Sequence, residues 1–502
     1  MIKRLLSSSC QNLKLDKSQY RPLIGLEVHV QLKTRTKLFS RSGNRDGPPN
    51  RLVSAFDMAT PGVLPALNNE CIHQAIKIGL LMKCDFLERS KFERKHYYYA
   101  DMPAGYQITQ NERPYARKGV FGFHVFRENM DTYWKEVKIH QLQLEQDSGK
   151  TIHMDHESLI DYNRAGCALV EVVTTPCFST AIEAVCFVQH LRLLLMHHGV
   201  CGGELHKGHL RVDANVSLSY DSDMGVRTEI KNMNSIRCIH TAINFEIARQ
   251  FEIISNNGTV LNETRAADSE GRTVSMRDKE QETDYRFMSE PNLPLLTIHQ
   301  NRIDKAEFDI RNRGKATFEI LRDDIGFEPK SAIHIAEDTA LLKFVEACLR
   351  YKDDSVSAAN ILTWMKELKT IMQRCKANYP PLSDFFASQF MSLISMFNQE
   401  KLTRLRMMDL LRVYATSDET IPARKLIEDN KYFRINDISV IEKTIENILQ
   451  QNIQTVEKAR NDHAKSFTKL RNLVINGTNK CVEVEDVERI LKDVIKRFNK
   501  TE

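Results

Sequence analysis

Nowhere in this chain are two cysteines spaced as C-x-x-C, and its 11 cysteines form an odd, scattered set. That argues against a zinc ribbon and a disulfide scaffold, and it points to reduced thiols in an intracellular compartment. No apolar run approaches the ~20 residues needed to cross a bilayer, so no membrane insertion is expected. Neither sign of charge dominates: 71 basic against 66 acidic side chains leave +5. Such a balance permits a polyanionic partner without requiring one. Internal repeats are absent. Acids are missing from the first fifteen residues, "MIKRLLSSSCQNLKL", which carry Lys3, Arg4, Lys14 and three consecutive serines. This is the composition of a mitochondrial transit peptide, although a disordered cytosolic N-terminus has a similar one.

What remains is an ordinary globular composition, 42% hydrophobic and 27% charged over 502 residues, long enough for two to four domains. Up to about residue 297 the text consists of short alternating runs. "LIGLEVHVQLKT" alternates apolar residues with a face that carries Glu27 and His29. "LRVDANVSLSY" sets Val212, Ala214, Val216, Leu218 and Tyr220 against Arg211, Asp213, Asn215 and Ser217, and "IHQLQLEQD" sets Leu142 and Leu144 against Gln141, Gln143, Glu145 and Asp147. Period-two patterns with one apolar and one polar face describe an antiparallel sheet. Helical spacing interrupts them in "CIHQAIKIGLLMK" and "TAIEAVCFVQHLRLLLMHHG", predicting helices over one face of the sheet. Beyond "EPNLPLL" charged helical text takes over; Ile361, Met365, Leu368 and Met372 form one apolar stripe, and a last amphipathic helix starts near Glu485.

Several stretches carry candidate chemistry, each beside a plainer reading. "DSGKT" (147–151) resembles the end of a phosphate-binding loop, but Leu144 stands where that loop needs glycine and no helix is expected after it. Glu27 and His29 project about 7 Å apart from one strand face, and Glu171 interrupts the apolar "CALVEVV". Hard oxygen donors with one imidazole suit Mg²⁺ or Mn²⁺; pairing with a neighbouring arginine or lysine explains the same carboxylates. "KHYYYADMPAGYQITQ" exposes at least one tyrosine ring beside an irregular loop, either to stack on unpaired bases or to cap a sheet edge. "RTEIKNMNS" alternates Arg227, Glu229 and Lys231 and ends in Asn232 and Asn234, whose default role is a turn or cap. His197, His198, His206 and His209 lack a metal-site context and read as surface residues. "KARNDHAKSFTKLR" (458–471) holds five basic side chains and one aspartate, which fits a phosphate-backbone contact or a solvated helix face.

In order along the chain, "IGLEVHVQL", "YYYADMPAGYQITQ", "LEQDSGK", "NRAGCALVEVV", "LRVDANVSL", "RTEIKNMNSIR" and "DYRF" resemble the B subunit of glutamyl-tRNA(Gln) amidotransferase. The N-terminus makes the chain similar to the mitochondrial type. The last third resembles the family in length and basic helical character more than in motif. The resemblance implies an α+β protein: a transit peptide over 1–22, an antiparallel cradle domain over 23–296, an all-α helical domain over 297–425, and a tRNA-contacting helical tail over 426–502. It implies a glutamine-hydrolysing glutaminyl-tRNA synthase acting in the mitochondrial matrix. Its cradle would use ATP and Mg²⁺ to phosphorylate the glutamyl side chain of Glu-tRNA(Gln), then pass it to ammonia. An amidase (A-type) subunit would supply that ammonia, and a small C-type subunit would hold the complex together. The alternative is a catalytically reduced, tRNA-binding structural subunit.

By the same resemblance, Glu27, His29, Glu145 and Glu171 are the catalytic metal ligands. Substrate contacts are expected at Tyr98, Tyr106, Gln107, Lys150, Arg211, Asp213, Asn215, Lys231, Asn232 and Asn234, and tRNA contacts at Lys458, Arg460, Lys465, Lys469 and Arg471. Two departures matter. Gln146 stands where the commoner family pattern has a second glutamate, which puts that strand's share of the metal in question. The loop "LVSAFDMATPG" has no cysteine where some relatives bind zinc, so no zinc is expected.

Overall fold

The computed structural model describes residues 19–127, 130–221, 223–277, 285–416, 420–460 and 464–498. The expected transit segment up to residue 18, Asp284 of "DYRF" and residues 461–463 of the basic stretch lie outside them. Two compact units divide at Thr317 and Phe318.

In the first unit the strands are β1 (Tyr20–Gln31), β2 (Asp85–Phe86), β3 (Arg89–Ser90), β4 (Glu93–His96), β5 (Tyr106–Thr109), β6 (Ala116–Arg127), β7 (Met130–Gln146) and β8 (Lys150–His153). They continue as β9 (Ser158–Asp161), β10 (Ala168–Thr174), β11 (Leu210–Tyr220), β12 (Thr228–Met233), β13 (Thr264–Ala267), β14 (Thr273–Arg277), β15 (Met288–Ser289) and β16 (Leu296–Thr297). Nine build one sheet in the order β14-β13-β12-β11-β1-β10-β7-β6-β2. Every pairing in it is antiparallel except β12 with β13. The central strand β1 therefore lies between β10 and β11, which follow it by well over a hundred residues. Short sheets β15-β4-β5, β16-β3 and β8-β9 complete the unit.

The alternation read from the sequence sorts the two faces. Leu26, Val28, Val30, Leu142, Leu144, Val170, Val172, Val212, Ala214 and Val216 are buried, together with Phe187, Ile239 and Ile243 from the covering helices α2 (Ala181–His197) and α3 (Ile236–Ser255). Removing these apolar side chains from water is the main drive for the layer. Side chains fix where the helices begin: Thr180 accepts from the Glu183 N–H and Ser235 from the Cys238 N–H, satisfying donors otherwise left over at a helix start. α1 (Asn69–Leu81) is capped by Asn68 in the same way.

α4 (Gln300–Arg313) reads as the start of the helical region, yet it belongs to the first unit. Ala306 is buried in the sheet's core, and Asp309 Oδ2 lies 2.8 Å from His73 Nε2 of α1. The first unit therefore extends past 296. The second unit is helical and holds two hydrophobic clusters. One spans Leu321 to Ile427 and includes the stripe Ile361, Met365, Leu368 and Met372 on the helix Ala358–Arg374. The other spans Ile441 to Ile495 and includes the closing helix Val484–Arg497. His198 corrects the reading of surface histidines: it is 3% exposed, because it ends α2 where that helix tucks against α1. The Lys77 ammonium of α1 donates to its carbonyl oxygen.

Candidate active site

The side of the sheet away from the core carries the polar residues, and the register brings them together. In the β1–β10 ladder His29 pairs with Glu171; in the β1–β11 ladder it pairs with Arg211, and Glu27 pairs with Asp213. In the β10–β7 ladder Glu171 pairs with Gln143 and Leu169 with Glu145. His29 Nε2 lies 3.4 Å from Glu145 Oε1 and 3.9 Å from Glu171 Oε1. One ligand atom from each of the three falls within 4.8 Å of the others. These separations match the spacing of donors around one small dication, with metal–oxygen bonds of about 2.1 Å for Mg²⁺.

Each member of the trio is held. Thr109 Oγ1 of β5 donates to Glu145 Oε2 at 3.0 Å, and Gln143 Nε2 donates to Glu171 Oε2. Burial works against the His29 imidazolium, but Glu171 and Glu145 beside it raise its pKa to about 9. Burial drives Glu171 upward, and the like charges of Glu145 and Glu27 add to this. Glu145 goes the other way: despite its burial, His29 and Lys95 hold it ionised. The buried Glu145 and the half-buried Glu171 thus share the His29 imidazolium, with Lys95 as a further cation, and a bound metal ion would add positive charge between them.

Not every expected ligand joins them. Glu27 stands one pair further along β1, where Asn215 Nδ2 donates to its Oε1 at 2.9 Å. Gln146 follows Glu145 on the same strand and therefore points to the opposite side of the pleat. Its Oε1 accepts from the Ile108 N–H at 3.2 Å, its backbone carbonyl accepts from Gln107 Nε2 at 2.7 Å, and it lines a cavity of about 220 Å³ with Asp57, Met102 and Tyr106.

Around the trio the expected substrate residues fall into groups. Arg211 Nη2 lies 2.9 Å from Asp147 Oδ2, which Arg164 also approaches at 3.6 Å. Lys231 Nζ lies 3.2 Å from Glu229 and 3.7 Å from Asp213, and both carboxylates strengthen its charge against its burial. Asn232 takes φ 65° on β12, where the pairing with β11 slips by a residue, and Asn234 precedes the Ser235 cap. Lys150 is exposed on β8, opposite Asp161. The turn before it leads into a strand, so "DSGKT" is no phosphate loop. Tyr106 lies under the Arg94 guanidinium, 4.2 Å from the ring centre. Tyr98 is 79% exposed, while Tyr97 and Tyr99 pack ring to ring at 4.4 Å.

Sequence reasoning missed Thr109, Gln143, Lys95 and Arg164. The alternation of "IHQLQLEQD" places Gln143 on the polar face; the other three are contributed by segments whose proximity only the fold sets.

In the basic stretch, Lys458 and Arg460 end the helix Ile453–Arg460, and Lys465, Lys469 and Arg471 lie on the helix Ala464–Gly477. Arg460 Nε donates to the Ile495 carbonyl at 3.1 Å, and Arg471 reaches Glu488 at 2.7 Å. Lys458, Lys465 and Lys469 are exposed.

The chain matches the GatB/GatE catalytic domain over residues 22–304 and the GatB domain over residues 343–495. It is 35% identical to the B subunit of the mitochondrial glutamyl-tRNA(Gln) amidotransferase of Danio rerio, across 94% of this chain and 89% of that one. It is 33% identical to the Homo sapiens protein of the same name, across 96% and 90%. The B subunit of the aspartyl/glutamyl-tRNA(Asn/Gln) amidotransferase of Brachyspira hyodysenteriae is 31% identical, across 96% and 99%. Two matched domains in sequence, and likeness over nearly the whole length of each relative, place this chain in the amidotransferase B-subunit family, as one of its mitochondrial members.

Proposed function

We propose that this chain is the transamidation subunit that converts Glu-tRNA(Gln) into Gln-tRNA(Gln) for mitochondrial translation. The observation that carries this reading is the convergence of His29, Glu145 and Glu171 on the open face of the sheet. The glutamyl carboxylate attacks the γ-phosphorus of ATP and ADP leaves; ammonia then attacks the acyl carbon, and phosphate leaves with the amide formed. Ammonia comes from a partner amidase subunit, and a small C-type subunit joins the two.

Both steps bring anions together, so the site must supply positive charge. Mg²⁺ held by His29, Glu145 and Glu171 would neutralise phosphate oxygens and orient them. Arg211 and Lys231 flank the trio on β11 and β12 and supply fixed cationic groups on the same face. Thr109 and Gln143 keep the two carboxylates pointed at His29. Tyr98 and Tyr99 present rings on which an unpaired base can stack.

The test uses the assembled complex with Glu-tRNA(Gln), ATP and Mg²⁺, and either glutamine or ammonium chloride as nitrogen donor. His29→Ala and Glu171→Gln complexes should bind tRNA and hydrolyse glutamine, yet form no Gln-tRNA(Gln) with either donor. Product formation at the normal rate in both variants would refute the assignment.

A further inference from the structure

The open face does not end at the trio. On β7 the buried apolar residues are Leu144 and Leu142, then Ile139 and Val137; on β6 the buried residues that face the core are Ala116, then Gly119, Phe121, Phe123 and Val125. Both strands shift phase together at Lys118, whose φ is 57°, and His140. The side chains turned away from the core on β7 are therefore Glu145, Gln143 and Gln141, then Lys138, Glu136 and Trp134. The open face continues along the β6–β7 hairpin to a tryptophan that is 53% exposed. From Glu145 of the trio to Trp134 the strand covers roughly 36 Å, about the reach of an unpaired four-nucleotide tail with its aminoacyl group.

Trp134 is a fixed ring. It sits over Gly122 of β6, where an added Cβ would fall 2.2 Å from Trp134 Cζ2. His124, its partner in the ladder, meets it edge-on with centroids 4.9 Å apart. Between this ring and the trio, Arg117, Lys118 and Lys138 line the outer side against two carboxylates, Glu136 on β7 and Asp85 of β2, which pairs with Arg117. An exposed aromatic platform joined to a reactive centre by a mainly cationic lane matches single-stranded nucleic acid, whose bases stack and whose phosphates need cations.

We propose that Trp134 is a stacking platform for an unpaired base near the 3′ end of the RNA substrate, with Arg117, Lys118 and Lys138 carrying the phosphates between that base and the aminoacyl group. The inference rests on the cradle acting on an aminoacyl-tRNA, but its test needs neither ATP nor metal.

The probe is an acceptor-stem RNA hairpin with 2-aminopurine in its single-stranded 3′ tail, titrated against the assembled complex. Wild-type complex should quench the 2-aminopurine as the base stacks. Trp134→Ala should lose the quench and bind about tenfold more weakly, and Trp134→Phe should keep both within about threefold. Gly122→Ala displaces the ring without removing it and should resemble Trp134→Ala. Quenching and affinity unchanged in Trp134→Ala would overturn the proposal. So would dissociation of the Trp134→Ala complex with quenching retained, which would show a partner protein covering the ring. A normal result here alongside fully active His29→Ala would fault the catalytic assignment alone.

Discussion

Glu171 lies directly across from His29 in the β1–β10 ladder, and their Oε1 and Nε2 atoms are 3.9 Å apart. Glu27 shares the strand with His29, but its Oε1 accepts a hydrogen bond from Asn215 Nδ2. Loss of function should follow that geometry. Glu171→Gln and Glu145→Gln each remove a charged donor from the trio and should lower Mg²⁺-dependent amidation by at least about a hundredfold, since transition-state charge stabilisers of this kind contribute roughly that much. Glu27→Gln keeps an acceptor for Asn215 and should cost less than either. Single-turnover amidation over a Mg²⁺ titration checks this; a Glu27→Gln loss exceeding that of Glu171→Gln would contradict it.

Lys37 and Asp57 form an ion pair at 3.2 Å, with side chains 0% and 1% exposed. Ser40 Oγ and the Ser54 N–H also donate to Asp57 Oδ2. Lys37→Met would leave a buried carboxylate without its cation, which should cost about 3–5 kcal/mol. Adding Asp57→Asn removes the unpaired charge and should recover part of the loss. Denaturation of the full chain, following the first unit's transition, gives the comparison. A double variant no more stable than Lys37→Met would show that charge is not the cause.

His198 predicts an acid weakness in the same unit. Burial, then the charges of His197, Lys77 and Arg313, pull its pKa from 6.5 to about 4. Above pH 6.5 the folded and unfolded chains are alike at this position, so nothing is lost. As the pH falls from 6.5 toward 4 the unfolded chain takes up a proton that the folded one refuses, and stability drops. Discounted for partial solvent screening, the loss is about 2 kcal/mol. His198→Gln should flatten that part of the stability–pH curve, and the same slope in both proteins would reject the cause.

Local features are legible in the sequence, and distant ones only through resemblance. Alternation in "LIGLEVHVQLKT" and "LRVDANVSLSY" separates core from open face residue by residue, because the pleat has a period of two. It cannot say that β10 and β11 flank β1, since strand neighbours are chosen by the whole sheet. Thr109 and Lys95 meet the trio from a small separate sheet, and no spacing reveals that. α4 is written in charged helical text, so its membership of the first unit depends on the few residues, Ala306 among them, that meet the core. The Lys37–Asp57 pair leaves no signal because its members look like two surface charges twenty positions apart. Gln146 stands out as a lost charge, whereas the pleat turns it away from Glu145.

The five basic residues of 458–471 divide into two kinds. Arg460 and Arg471 are engaged by the Ile495 carbonyl and by Glu488, so part of their donor capacity serves the fold. Lys458, Lys465 and Lys469 are exposed and available to phosphates. Replacing these three with alanine should reduce the log–log salt slope of tRNA binding by roughly two to three, at a little under one per phosphate contact. The same variant should leave amidation at saturating tRNA unchanged. Arg471→Ala should act more on the melting of the second unit than on the slope. Filter binding of tRNA(Gln) from low to moderate salt measures the slope directly. If the triple variant keeps the wild-type slope, these lysines form a solvated helix face and the tRNA contact lies elsewhere.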